Sequence, residues 1–382
     1  MSYGGGMEKS TEKKINVGIL FGGKSAEHEV SLQSARNVFD ALDRSKYNPV
    51  LIGINKNGQW LLGNESRFLL NTGDPKKIKL DSSLDPSTDQ VALAPESRGA
   101  LSGVFTGSAT DSGVKGSIDV VFPILHGPFG EDGTVQGLLK LADIPFVGAG
   151  VLASAAGMDK DVMKRLFRDS GLPICKYRAL KSHEKIPGFN EIKTELGCPV
   201  FIKPANMGSS VGVSKAHNEE EYLAAVTEAF RYDTKILFEE FVSGRELECS
   251  VLGNEEPIAS VIGEVKSTHE FYSYNAKYID ENGAALEIPA NISEEIAKRI
   301  KEIAIKAFKA LECEGLGRVD FFLRNNSEII LNEINTMPGF TKISMYPKLW
   351  EASGISYSEL ISRLIDLAIR RFEKEKKIRT SV

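Results

Sequence analysis

Cysteine is scarce in this sequence: Cys175, Cys198, Cys249 and Cys313 are the only four in 382 residues, and no two form a C-x-x-C pair. That argues against a disulfide framework or a structural zinc site and fits a reducing cytosol. Long apolar runs are also missing. The longest uncharged stretch, residues 144–158, holds three glycines and a proline and falls short of the ~20 apolar residues of a membrane-spanning helix. No charge sign dominates, with 47 Lys and Arg against 52 Asp and Glu for a net charge of −5. Neither nucleic acid nor a membrane is therefore an expected partner. There is no internal repeat, no low-complexity tract and no apolar signal segment at the N-terminus. Residues 1–14, opening MSYGGG, read as a disordered leader. The remainder is an ordinary globular mixture, 42% hydrophobic and 26% charged, long enough for two or three domains at about 100–200 residues each.

The first strong element is the apolar run INVGILF at 15–21, followed by a helical pattern with Val30, Ser34, Val38 and Leu42 on one face and a strand at 47–54. Strand, helix, strand is the start of an open α/β layer. Residues 73–116, rich in Ser, Asp, Pro and Gly, read as a surface insertion. Another apolar strand, 118–125, runs into HGPFGEDG. Ligands gather at the carboxyl ends of strands in such sheets, which draws attention to 22–31 and 126–133. Further on, 159–168 reads as a helix, 200–204 as a strand and 211 onward as the next strand. Long strands dominate after Ser243, interrupted by an amphipathic helix carrying Ile296, Ile300, Ile303, Ala307 and Leu311.

GILFGGKS at 18–25 satisfies the P-loop pattern G-x-x-x-x-G-K-S. In a P-loop, however, the residues after the first glycine wrap a phosphate. Ile19, Leu20 and Phe21 read as buried strand, so Lys24 is not expected to bind nucleotide.

The sharpest signal is GRVDFFL at 317–323, a turn at RNNS, and EIILNEIN at 328–335. These segments read as a β-hairpin centred on Asn325-Asn326, in which Arg318 faces Glu333 and Asp320 faces Leu331. Side chains alternate along a strand and opposed residues share a face. One face then carries Arg318, Asp320, Glu333 and Asn335. Two carboxylates and an amide suit magnesium shared with substrate phosphates, although a solvated face with one ion pair would read the same. The glycine-bearing loop TMPGFT at 336–341 could offer backbone N–H groups to an oxyanion. A second signal is KPANMGSSVG at 203–212, where Lys203 and a Gly/Ser loop could close on phosphate or form a plain turn. Lys160 is a second candidate cation, or a surface helix lysine. In FEEFVSGRE at 238–246, Phe241 could pack on a base, the backbone near Glu239 and Val242 could bond its edge, and Glu246 could take ribose hydroxyls.

Together these segments resemble the ATP-grasp fold, and specifically the D-alanine–D-alanine ligases. FGGKSAEHEVS at 21–31, HGPFGEDGT at 126–134, Lys203-Pro with GSSVG, GRVD at 317–320 and NEINTMPGFT at 332–341 carry the likeness over nearly the whole chain. The resemblance implies an α/β protein with an N-terminal open α/β substrate-binding domain (15–148), a central ATP-grasp domain (149–242) and a C-terminal ATP-grasp domain with the metal site (243–382), the last two sandwiching ATP. It implies ligation of two D-alanines through an acyl phosphate, with ATP as co-substrate and two Mg2+ or Mn2+ ions, in a cytoplasmic protein expected to be a homodimer. Glu27, Ser209 and Tyr278 would form a triad at the first D-alanine's ammonium, with His126 near its carboxylate. Lys160, Lys203, Ser210 and Lys277 would hold phosphates, and Glu239, Phe241, Val242 and Glu246 adenosine. Asp320, Glu333 and Asn335 would bind the metals, and Arg318 and the Gly339 N–H would face the oxyanion. Ser344 and Met345 would receive the second substrate's carboxylate, and residues 271–278 would close over the site. The alternatives are a D-alanyl-D-lactate or D-alanyl-D-serine ligase on the same scaffold, a P-loop NTPase, and a nucleotide-binding regulator without turnover.

Overall fold

A computed structural model describes residues 13–63, 89–93, 97–103, 117–267 and 284–379. Most of the leader, much of the 73–116 segment and the 271–278 loop, with Lys277 and Tyr278, lie outside the described residues.

Three sheets follow one another along the chain. The first contains β1 (Ile15–Gly22), β2 (Tyr47–Ile54), β3 (Trp60–Gly63), β4 (Asp89–Leu93), β5 (Leu101–Gly103) and β6 (Val120–Ile124), in the order β5-β4-β3-β2-β1-β6. β1 runs parallel to β2 and β6, and β2 to β5 pair antiparallel. The segment expected as a surface insertion thus supplies the edge strand β5 and its neighbour β4, and Val91, Leu93 and Leu101 are buried in the core beneath them. Val17, Ile19, Leu20 and Phe21 are fully buried in β1, which leaves no loop to act as a P-loop.

The second sheet is antiparallel: β7 (Tyr177–Lys181), β8 (Val200–Pro204), β9 (Ser214–Ala216) and β10 (Lys235–Glu240), in the order β7-β10-β8-β9. β9 begins three residues later than expected, because Ser209, Ser210 and Gly212 adopt left-handed backbone (φ 49°, 60° and 70°) and prolong the turn. The third sheet joins β11 (Arg245–Gly253), β12 (Ile258–Ser267), β13 (Ala284–Glu287), β14 (Gly315–Arg324) and β15 (Glu328–Asn335) in the order β13-β12-β11-β14-β15.

The β14–β15 hairpin departs from the expected register. Arg324 pairs with Glu328 around a three-residue loop, and Asn332 bulges out between the Phe321–Leu331 and Asp320–Glu333 pairs. Arg318 therefore faces Asn335, and Asp320 faces Glu333. The looser turn and the bulge each shift the pairing by one residue. A single slip would have turned the face over, and two restore it. The four polar residues accordingly still share one side.

Helices bind the sheets together. α1 (His28–Ala41) covers the first sheet, and α2 (Thr134–Leu141), α3 (Val151–Met158) and α4 (Lys160–Asp169) lead into the second. α3 and α4 place Ala153, Ala156, Met163 and Phe167 in one core with β11, β14, β15 and α7 (Glu294–Ala310). α5 (Phe189–Leu196) and α6 (Glu219–Ala229) back the second sheet. After α8 (Met345–Ala352), the last helix, α9 (Tyr357–Glu375), returns to the first sheet. Its Leu360, Ile361, Leu364 and Ile365 pack with Val17, Ile19 and Phe122. Arg371 donates to the carbonyls of Phe146 (2.8 Å) and Gly148 (2.5 Å). Among the described residues no helix is long and apolar enough to cross a membrane.

Candidate active site

Glu27 is the N-cap residue of α1, yet its side chain makes no cap hydrogen bond. Its buried carboxylate instead accepts from the hydroxyl of Ser209, on the loop after β8. A carboxylate is favoured at a helix N-terminus, so this position supports the charge while the oxygens serve another segment. Gly127 makes room for it: a Cβ there would lie 2.9 Å from Glu27 Oε2. His126 is buried next door, with Nδ1 3.2 Å from the Met337 carbonyl and Nε2 without a hydrogen-bond partner among the described residues. Burial pushes its imidazole toward the neutral form, against the pull of Glu27 and the Met337 contact.

The loop carrying Ser209 and Ser210 holds two consecutive non-glycine residues at positive φ. Each costs roughly 1–2 kcal/mol, and strain of this kind concentrates at ligand sites. Lys160, the first residue of α4, donates to the Met207 carbonyl at 2.6 Å and lies 3.9 Å from Glu333. Burial lowers its pKa, with Glu333 opposing. Lys203 lies 2.5 Å from Glu239, whose other oxygen is 3.1 Å from Lys164. Burial alone would raise the Glu239 pKa, but the two ammoniums prevail and hold it at about 2. The Glu239 carboxylate is thus occupied by lysines. Phe241 is 39% exposed, with Lys215 Nζ 4.3 Å from its ring centre. Val242 is buried against Cys175 and Ile330, and Glu246 lies on β11 opposite Phe322.

On the hairpin face Arg318 binds Asp320 in a two-pronged contact, 2.7 Å for each bond, and Asn335 Nδ2 donates to Asp320 Oδ2 at 3.0 Å. Glu248, opposite Asp320 on β11, adds a carboxylate 2.9 Å from Arg318 Nε. A carboxylate has about four acceptor sites. Arg318 and Asn335 use three of those on Asp320. The Asn335 amide donates through its nitrogen and also carries a hard oxygen acceptor. Among the described residues no three His, Cys, Asp or Glu side chains form a ready-made metal cage. This donor set fits magnesium, which keeps its waters and is completed by substrate phosphates. Beyond β15, Phe340 anchors the 336–341 loop in the first core, edge-on to Phe122 at 5.6 Å. Gly339 lies against Ser344, whose hydroxyl caps the turn at Thr341, and Met345 is buried at the start of α8.

The described candidates thus form a Glu27–Ser209–His126 group, a lysine group around Glu239, and the hairpin face, linked by the Lys160–Glu333 ion pair. Three charged residues were missed. Lys164 lies one helical turn beyond Lys160, a spacing that places both on one face. Glu248 alternates with Glu246 along β11. Glu131 lies inside the quoted HGPFGEDG motif. It accepts the Gly127 N–H at 2.7 Å, and burial together with Glu27 pushes its pKa well up.

Two antiparallel sheets converging on a strained Gly/Ser loop, a group of lysines and an Asp/Glu/Asn face define the ATP-grasp class of fold. The family model described as D-ala D-ala ligase N-terminus matches residues 16–149, and that of the C-terminus matches 166–366. A D-alanine–D-alanine ligase of Oceanobacillus iheyensis is 54% identical over 96% of this chain and 99% of its own. Among solved structures, the D-alanine–D-alanine ligase from Coxiella burnetii superposes with a TM-score of 0.82 at 37% identity, covering 95% of this chain and 96% of that one. A D-Ala:D-Ser ligase from Enterococcus faecalis superposes at 0.80 and 36% identity, covering 93% and 100%. The chain belongs to the D-alanine–D-alanine ligase family.

Proposed function

We infer that the chain carries out its family's reaction: it is an ATP-dependent ligase that joins two D-alanines for cell-wall synthesis. The observation that carries this reading is the convergence of the Glu27–Ser209 pair, the lysine group and the Asp320/Glu333/Asn335 face. A carboxylate is a poor acyl donor, so the first D-alanine is phosphorylated before the second attacks it. Glu27, with Ser209 and Tyr278, holds the first ammonium. Neutral His126 approaches that substrate's carboxylate without adding charge. Lys160, Lys203, Ser210 and Lys277 receive the phosphates, and adenosine is held by the backbone at Glu239 and Val242 with Phe241 and Glu246. Asp320, Glu333 and Asn335 would hold two magnesium ions, which would supply positive charge to offset that of the phosphates. Asp320 and Glu248 fix the plane of Arg318, so that its guanidinium faces the oxyanion together with the Gly339 N–H. Ser344 and Met345 receive the second substrate. The 15–148, 149–242 and 243–382 domain division, a homodimer and a cytoplasmic location complete the reading.

The deciding experiment is phosphate release from ATP across D- and L-amino acids, with products separated. Release that depends on D-alanine and yields the dipeptide is expected. The likeness to the D-Ala:D-Ser ligase makes D-serine the competitor to include. A preference for D-serine or D-lactate as second substrate would replace the dipeptide assignment, and ATP hydrolysis without D-alanine dependence would remove it.

A further inference from the structure

Lys164 is fully buried. Its ammonium lies 3.1 Å from Glu239 Oε1, 3.3 Å from Cys175 Sγ and 3.3 Å from the Asn332 carbonyl, the bulged residue beside Glu333. Burying an ammonium costs several kcal/mol unless it is paired. The same carboxylate lies 2.5 Å from Lys203 through its other oxygen. Lys203 is a buried residue near the end of β8, just before the strained loop, and keeps a small exposed fraction (9%), whereas Lys164, on α4, is fully buried against β10 and β15. A triphosphate held by Lys203 would draw its ammonium away from Glu239. A buried carboxylate that loses its only counter-ion would be strongly disfavoured.

We propose that Lys164 is a positioning residue for nucleotide binding: it is the standing counter-ion of Glu239, and it lets Lys203 pass from that carboxylate to the phosphates without stranding a buried anion. The proposal rests on the reading of Lys203 as a phosphate ligand. The other titratable groups near Glu239 do not replace Lys164. Lys160 is engaged by the Met207 carbonyl and Glu333. The Cys175 thiol, raised by burial and by Glu239, stays protonated. Tyr177 faces Glu239 across β7, and burial and Asp161 raise its phenol.

A specific signature follows. In the wild type Glu239 stays ionised when Lys203 leaves, so nucleotide affinity is flat near neutral pH. In Lys164→Met, Glu239 takes a proton from solvent as Lys203 leaves. Affinity then weakens as pH rises, by up to about tenfold per unit. The charge of Lys164, Lys203 and Glu239 together is +1 in the wild type, zero in Lys164→Met, and +1 again in Lys164→Met/Glu239→Gln.

The test is calorimetric titration of the full chain with magnesium and a non-hydrolysable ATP analogue between about pH 6 and about pH 8, in buffers of different ionisation heat that report proton uptake. Lys164→Met should bind about tenfold or more weaker at the upper pH, recover toward the lower, and take up protons. Lys164→Met/Glu239→Gln removes the buried charge and leaves the backbone assigned to adenosine in place, so it should return to within about threefold of wild type with no pH slope. The KM for D-alanine should be unchanged in both. A pH-independent loss, or no loss, in Lys164→Met would overturn the proposal. If that variant does not fold, the double variant decides: flat, near-wild-type affinity supports the proposal and a loss beyond about tenfold overturns it. Lys203→Ala runs in parallel. Unchanged affinity there would overturn the phosphate-ligand reading itself, whereas weakened binding there with a silent Lys164→Met would overturn only the role of Lys164.

Discussion

Two charge clusters meet at the Lys160–Glu333 ion pair, and they are built with opposite surpluses. Around Glu239, one buried carboxylate serves two ammoniums, Lys164 and Lys203. On the hairpin, one guanidinium, Arg318, lies among Asp320, Glu248 and Glu333, and the face is only partly buried. Neither cluster is neutral on its own. A surplus of cations is complementary to a polyphosphate, and a surplus of carboxylates to divalent metal. Each surplus suits a ligand of the opposite charge, so the residues that make it up serve binding more than stability.

Breaking the acidic side should have the largest effect. Glu333→Ala removes a proposed metal ligand and the partner of Lys160 together. Ligation should fall by about a thousandfold or more, the scale of a lost electrostatic stabiliser, and added magnesium should not restore it. Near-normal turnover in a phosphate-release assay at saturating magnesium would remove the metal assignment.

Breaking the cationic side has a stability readout. Glu239 is held at about 2 from an ordinary 4.5. A depressed folded-state pKa means that its contribution is fully present above about 4.5 and is lost as pH falls toward about 2. That contribution is on the order of 3 kcal/mol. Glu239→Gln should therefore be less stable than wild type in denaturant at neutral pH, and the two unfolding curves should converge across that acid window. A gap that stayed constant with pH would mean that the ion pairs do not set the Glu239 proton affinity.

The two clusters also differed in how far the sequence revealed them. The hairpin face was legible because a period of two carries Arg318, Asp320, Glu333 and Asn335 to one side, and the two register shifts cancelled in parity. The bulge at Asn332 itself has no local signature. Lys203, Lys160 and Glu239 were each visible, but their mutual geometry was not, because strand pairing and helix docking far along the chain decide it. Lys164 could have been suspected from its spacing to Lys160, though its burial could not. The same limit explains α9. Its amphipathic pattern marks an apolar face, but nothing local says that the face closes the core of the first sheet. It explains β4 and β5 as well, where a polar composition concealed Val91, Leu93 and Leu101.

The smallest expected effect sharpens the comparison from outside. Lys24 completes a literal P-loop pattern and belongs to neither cluster. Gly18 lies in mid-strand, paired with Val50 and Val121, so the backbone N–H groups that would wrap a phosphate are committed to the sheet. The Lys24 side chain lies over Gly58, at the turn between β2 and β3: a Cβ there would meet its Cε at 2.3 Å. Lys24→Ala should therefore change the Kd for nucleotide by less than about threefold, within the range of surface substitutions. Its pH profile should match the wild type, while Lys203→Ala in the same titration weakens binding. A hundredfold loss in a well-folded Lys24→Ala, with Lys203→Ala silent, would place the phosphates at the first sheet and dissolve the complementarity of the two clusters.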